Sequence, residues 1–406
     1  MPGFVKSALH KDPLVAIACG GTGGHLFPGL AVAEALQQRG ATVLLLVSQK
    51  EVDQQAVREV RGMQVETLPG VGLVEGKWLS FASGFIKSYL HSRRLFARRA
   101  PRAVLAMGGF TSAPPVLAAP AFRTAAFLHE ANAVAGRANR WLAPWVKEAF
   151  VYFPTAGRRL WPAARVSVTG MPVRSSFQPM AAESCRIALG LDPQRPVLLI
   201  MGGSQGAEGI NERVLKAAGS LLAQEPDLQF LHLTGTKGWE RVKAAYASLD
   251  CRAVVRPFLT EMEYALGAAS VAISRAGASS LGELAAMRVP SILIPYPAAA
   301  DQHQYFNALA WQETGAARLA PQAAATPESL TAGVLELLRN PRARQTMIQG
   351  MTRWHDAQAA ENIADRIWPV VAAGAPVSAK NPSAGPLPAF VKPGRNHLHS
   401  GSPCLI

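Results

Sequence analysis

The chain has 406 residues, 49% hydrophobic and 17% charged, with 41 Lys and Arg against 27 Asp and Glu, a net charge of +14. That length exceeds one ordinary core and that composition is globular, so two domains are expected and a disordered protein is excluded. The positive excess favours anionic partners, while four scattered cysteines, Cys19, Cys185, Cys251 and Cys404, offer no CxxC pair for zinc or a disulfide framework.

The first residues, Met1 to Pro13, carry Lys6 and Lys11 but no apolar core with a cleavage site, so no signal peptide is expected. No apolar run reaches the roughly 18 residues that span a bilayer, so membrane contact would be peripheral. Continuous aliphatic runs predict buried parallel strands at Leu14–Cys19, Thr42–Val47, Ala103–Met107, Thr124–Leu128, Val166–Val168, Val197–Met201, Leu228–Leu233, Arg252–Val255, Val271–Ile273 and Ser291–Ile294. Helix-length segments such as Phe27–Arg39, Ala207–Ala223 and Leu281–Met287 lie between them. This alternation predicts an α/β fold of doubly wound parallel sheets.

Leu14–Cys19 runs into GGTGGH, Gly20 to His25. Thr22, Gly23 and Gly24 there offer backbone N–H groups, and the following helix adds its positive end, which makes an anion cradle. A bare strand-to-helix turn is the competing reading. The loop is neither a dinucleotide fingerprint nor a P-loop, because the third glycine, the ribose-binding acid and the Gly-Lys-Ser/Thr are missing. His25, beside the helix's positive end, is a candidate neutral base or a packing residue.

From Gly76 to His129 there is no Asp or Glu. Trp78, Phe81, Phe85, Tyr89 and Phe96 fall on one side of a helix, with Lys87, Arg94 and Arg98 opposite. Such a helix either lies on an anionic lipid surface or buries its apolar face in the domain. Gly109, in the GGF of Gly108–Phe110, and Asn132, in the HEANAVAG of His129–Gly136, each follow a strand. Glu130 and Asn132 are candidates to meet an acceptor.

The strand pattern restarts after the Pro-containing stretch Gly170–Pro179. Arg174 in GMPVR could reach phosphates. Val197–Met201 enters GGSQGA, Gly202 to Ala207, where Ser204, Gln205 and backbone amides suit a pyrophosphate. SRAGASSLGEL, Ser274 to Leu284, carries Glu283 on a helix, a carboxylate able to clamp a ribose diol. DQHQYFN, Asp301 to Asn307, supplies a polar array for sugar hydroxyls, or a helix start capped by Asp301. No Asp-x-Asp, HExxH or Ser-His-Asp arrangement accompanies these, so no metal and no cofactor are expected. No nucleic-acid module is present either, and no nucleic-acid partner is expected.

In this order GGTGGHLFPGLAVAEAL, GGF, HEANAVAG, MPVR, GGSQGA, SRAGASSLGEL and DQHQYFN resemble the MurG family over about Val15 to Asn307, and on to Trp368. The resemblance implies a GT-B fold: an acceptor- and membrane-binding Rossmann-like domain at 1–172 and a UDP-GlcNAc-binding one at 173–340. Helices at 341–369 would return to the first domain, and 370–406 would be a disordered tail. It implies an inverting transfer of N-acetylglucosamine from UDP-GlcNAc to undecaprenyl-linked muramoyl-pentapeptide at the cytoplasmic face of the inner membrane. Donor contacts would fall to Arg174, Ser204, Glu283 and Gln304, with the uracil against the backbone of Phe258 and Leu259. His25 and Asn132 would stand near the acceptor. Ala131 and Ala135 replace the family's Gln and Pro, so no side-chain contact carries over there. Another GT-B enzyme, such as a UDP-GlcNAc epimerase or glycolipid glycosyltransferase, or a non-catalytic sensor of nucleotide sugars, is the alternative.

Overall fold

The computed structural model describes residues 12–21, 23–50, 53–54, 57, 62–70, 78–161, 165–203 and 205–373, and of Trp78 the backbone alone. Thr22, Ser204 and the proposed tail beyond residue 373 lie outside the described residues.

Two all-parallel sheets form the framework. The first holds β1 (Leu14–Ala18), β2 (Thr42–Val47), β3 (Gln64–Thr67), β4 (Ala103–Ala106), β5 (Ala125–Glu130), β6 (Glu148–Val151) and β7 (Val166–Val168), in the order β3-β2-β1-β4-β5-β6-β7. The second holds β8 (Val197–Met201), β9 (Gln229–Leu233), β10 (Ala253–Arg256), β11 (Val271–Ser274), β12 (Ser291–Leu293) and β13 (Arg318–Leu319), in the order β10-β9-β8-β11-β12-β13. Counted within each lobe, both begin 3-2-1-4-5-6, the doubly wound order whose crevice opens where β1 meets β4 and β8 meets β11. Helices cover both faces, so the central strands are buried except for the partly buried Leu14 at the start of β1, as their unbroken aliphatic sequences require.

Three strands escape the sequence reading. Gln64–Thr67 is a partly exposed edge without an apolar run, Glu148–Val151 opens on an acid, and Arg318–Leu319 is two residues long.

The first helix, Gly23–Gln38, has apolar residues nearly all round, with Leu26, Leu30, Val32, Ala33 and Leu36 buried. Beside it on the same face of the sheet packs the last helix, Ala359–Ala372, whose Ile363, Ala364, Ile367 and Val371 join the core of the first lobe. Arg39 pairs with Glu361 and Asp365 of that helix, and Arg102 donates to the carbonyl of Val371. The last described helix therefore lies on the lobe where the chain began, and it runs past Pro369 to Ala372.

The helix Trp78–Arg99 buries part of its apolar side in the first lobe, one of the two readings that its spacing left open. Phe96 is fully buried, and Phe85 and Tyr89 pack on the first lobe's core. Its exposed large apolar residues are Leu79, Ile86 and Leu90, on the same helix as the exposed Lys87, Arg93, Arg94 and Arg98. No described helix is long and apolar enough to cross a membrane.

Candidate active site in the cleft

Each strand at the two switch points releases a loop into one cavity of about 1140 Å³. Gly23, Gly24 and His25 follow β1, Gly108 to Phe110 follow β4, Gly203 follows β8, and Gly277 to Ser280 follow β11. The cavity is also lined by Asn132, Arg174, Phe258, Leu259, Glu283 and Gln304. Of the predicted site residues described, Gln205 alone is not among the lining residues.

The helix Ala278–Met287 has no side-chain cap at Gly277, so its first-turn N–H groups face the cavity as an anion site. In the second glycine turn, Gly206 has φ +72°, and a Cβ there would stand 2.1 Å from the Thr234 carbonyl oxygen. Only glycine lets this loop pass so close to the end of β9.

The first glycine loop is not simply a row of free amides. Asp53, wholly buried, accepts from the N–H of Gly21 at 2.6 Å and from the N–H of Ser48 at 3.2 Å, and the Ser48 hydroxyl also donates to it. Lys50 Nζ donates to the Gly21 carbonyl at 2.8 Å, and Thr111 donates to that of Gly20 at 2.7 Å. The loop is thus held from outside, and Gly23 and Gly24 are left to meet a ligand. A lone acid in a poorly patterned segment carries no signal that sequence reading could use.

His25 lies edge-on against Gly108 and Gly109, where an added Cβ at Gly108 would be 2.8 Å from its Cε1. Its Nδ1 is buried without a hydrogen-bond partner. Burial pushes its pKa below the ordinary value, against the raising pull of the Met107 carbonyl and Asp53.

Arg174 is placed by two rings, with Cζ 4.9 Å from the centre of Phe27 and 5.1 Å from that of Phe177. Its Nε is buried and unpartnered. Across from it, burial raises the Glu283 pKa to about 7, with Arg174 pulling down and Glu263 pushing up. Gln304 accepts from the N–H of Tyr296 at 3.0 Å, which leaves its amide N–H groups for a ligand.

Glu130 does not reach toward an acceptor. It accepts from the N–H groups of Asn132 (2.9 Å) and Gly136 (2.8 Å) and from the amides of Asn132 (3.2 Å) and Asn139 (2.8 Å), which knots the loop after β5. Asn307, fully buried, then ties this loop to the second lobe: its Oδ1 accepts from the Ala133 N–H at 2.8 Å. Its Nδ2 donates to Asn132 Oδ1 at 3.1 Å and to the Ala276 carbonyl at 3.0 Å. Asp301 pairs with Arg137 (3.2 Å) and Arg140 (3.1 Å) across the cleft mouth and caps no helix. Among the described residues, no group of three or more His, Cys, Asp or Glu could hold a metal ion.

Sequence models of the glycosyltransferase family 28 N-terminal and C-terminal domains match residues 15–151 and 197–367. The chain is 39% identical to a UDP-N-acetylglucosamine–N-acetylmuramyl-(pentapeptide) pyrophosphoryl-undecaprenol N-acetylglucosamine transferase of Acidithiobacillus ferrooxidans, over 86% of this chain and 96% of that one. Among solved structures, MurG of Acinetobacter baumannii superposes with a TM-score of 0.69 at 27% identity, covering 88% of this chain and all of that one. A UDP-GlcNAc 2-epimerase from Neisseria meningitidis superposes at 0.65 with 13% identity, covering 88% of this chain and all of that one, a likeness of fold alone.

Proposed function

The chain belongs to the MurG transferases of glycosyltransferase family 28, and from that premise we propose that it moves N-acetylglucosamine from UDP-GlcNAc to the C4 hydroxyl of undecaprenyl-diphosphate-linked muramoyl-pentapeptide. One observation carries this reading: the glycine-rich ends of β1 and β4 and those of β8 and β11 open on the same cavity. A diphosphate donor and a diphosphate-lipid acceptor then meet between two sets of backbone amides.

In this reading the second lobe takes the donor. Uracil sits against the backbone near Phe258 and Leu259, Glu283 accepts the ribose hydroxyls, and Gln304 donates to the sugar. Ser204 and the Gly203 backbone would meet the diphosphate. Arg174 and the uncapped helix start at Gly277 stabilise charge on the departing UDP. His25 is neutral near pH 7, because burial depresses its pKa. With Nδ1 enclosed, Nε2 takes the proton of the acceptor hydroxyl as that oxygen attacks the anomeric carbon. Thr22, Gly23, Gly24 and Gly109 would hold the acceptor diphosphate, with Asn132 orienting the sugar. The exposed Leu79 and Leu90 together with Lys87, Arg94 and Arg98 suit docking on an anionic membrane surface from the cytoplasmic side.

The test is transfer of radiolabelled N-acetylglucosamine onto lipid-linked muramoyl-pentapeptide. A labelled lipid-linked disaccharide is expected. Labelled sugar that is released or epimerised, with none on the acceptor, would refute the reading.

A further inference from the structure

Resting on that reading, we propose that the outer end of the cleft is a subsite for the first isoprenoid units of the acceptor's lipid, distinct from the surface that meets the bilayer. The cavity does not stop at the glycine loops. It continues past Ala113 and Val134 to a wall made by Phe81, Phe85, Ile86 and Trp141. Phe81 and Phe85 stand 6.2 Å apart between ring centres, and Trp141 meets Phe85 edge-on at 6.5 Å.

Positions 81, 82, 85 and 86 form one stripe of the helix, and Lys87, Arg94 and Arg98 lie on its far side. The four residues that line the cavity carry no charge, and Arg93, two turns further along that face, lies 5.9 Å from the centre of the Tyr89 ring and does not line the cavity. Trp141 is 55% exposed and Ile86 58% exposed, so this apolar wall faces open space. A prenyl diphosphate fits it by continuity: with its phosphates at Gly24 and Gly109, the next atoms along the lipid are hydrocarbon, and the adjoining wall of the same cavity is apolar.

The test uses buffer free of vesicles and detergent, so bilayer docking plays no part. Muramoyl-pentapeptide diphosphates with one, two and four isoprene units serve as acceptors. Adding the second unit is expected to raise kcat/KM about tenfold or more, with a plateau beyond it. In Ile86→Ser and Trp141→Ser, both at exposed positions that endanger no core, the gain should shrink to about twofold or less. Lys87→Ala with Arg94→Ala should instead weaken co-sedimentation with anionic vesicles and keep the tail preference. A flat response of the wild-type protein to tail length, or a gain unchanged in both apolar variants, overturns the subsite. Calorimetry with geranyl diphosphate alone separates the two readings. Binding that Trp141→Ser weakens, with no transfer to any acceptor, would uphold the subsite and refute the reaction; no binding, with normal transfer, would do the reverse.

Discussion

Asn307 is the sharpest place to test how the lobes are held. Its side chain makes three hydrogen bonds in a fully buried setting, two to the first lobe and one to the loop after β11. Asn307→Ala strands the Ala133 N–H and the Ala276 carbonyl, each at about 1–3 kcal/mol, for a loss of about 2–6 kcal/mol. Asn307→Asp is nearly isosteric, yet it is no milder. A carboxylate still accepts from Ala133 but turns an oxygen toward Asn132 Oδ1 and the Ala276 carbonyl, and it buries a charge without a cation, at about 3–5 kcal/mol. At about 2 cal/mol/K of unfolding entropy per residue, either variant should melt roughly 3–7 °C lower by calorimetry. Because this side chain sets the acceptor loop against the donor loop, kcat/KM should fall about a hundredfold, while UDP affinity changes far less. An Asn307→Asp protein that melts within about 1 °C of the wild type and turns over normally would refute this reasoning.

Other consequences follow from the same geometry. In Gly108→Ala the new Cβ would stand 2.8 Å from His25 at φ +109°, so transfer should drop about a hundredfold with UDP binding retained by calorimetry. Glu283, raised to about 7 by burial, ionises only near neutrality. UDP should bind more weakly as pH falls from 8 to 6, and Glu283→Gln should bind UDP weakly but evenly across that range. Burial lowers His129 to about 4 and His232 to about 3. Both stay neutral in the folded chain while the unfolded chain takes up protons below about pH 6.5. Stability should then fall on acidification from about 6.5 toward 4, by about 1.4 kcal/mol per pH unit for each histidine. Denaturant midpoints at several pH values would check this, and His232→Gln should flatten the trend.

Much of this arrangement is written locally in the chain. The buried strands announce themselves as unbroken aliphatic runs, and the loops after β1, β4 and β8 as glycine clusters, while the loop after β11 carries Gly277 alone. Arg174 and Glu283 are weak signals alone and are picked out by the family resemblance of MPVR and SRAGASSLGEL. The remainder depends on partners distant in sequence. Asp53 is an ordinary acid until the fold brings Gly21 onto it, 32 positions away, and Asn307 an ordinary amide until Ala133 arrives from 174 positions away. The helix Trp78–Arg99 shows the limit of periodicity: its spacing marks an apolar side but not what covers it, and here the first lobe's own core covers much of that side.

The return of the last helix has a consequence for biogenesis. Ile363, Ala364, Ile367 and Val371 are core residues of the lobe that leaves the ribosome first, yet they are made after the whole second lobe. The first lobe must wait with an apolar groove open along Gly23–Gln38 until the helix Ala359–Ala372 has been made. That delay is a window for aggregation or chaperone capture, and contacts spanning more than 300 residues, such as Arg39 with Asp365, make its closure slow.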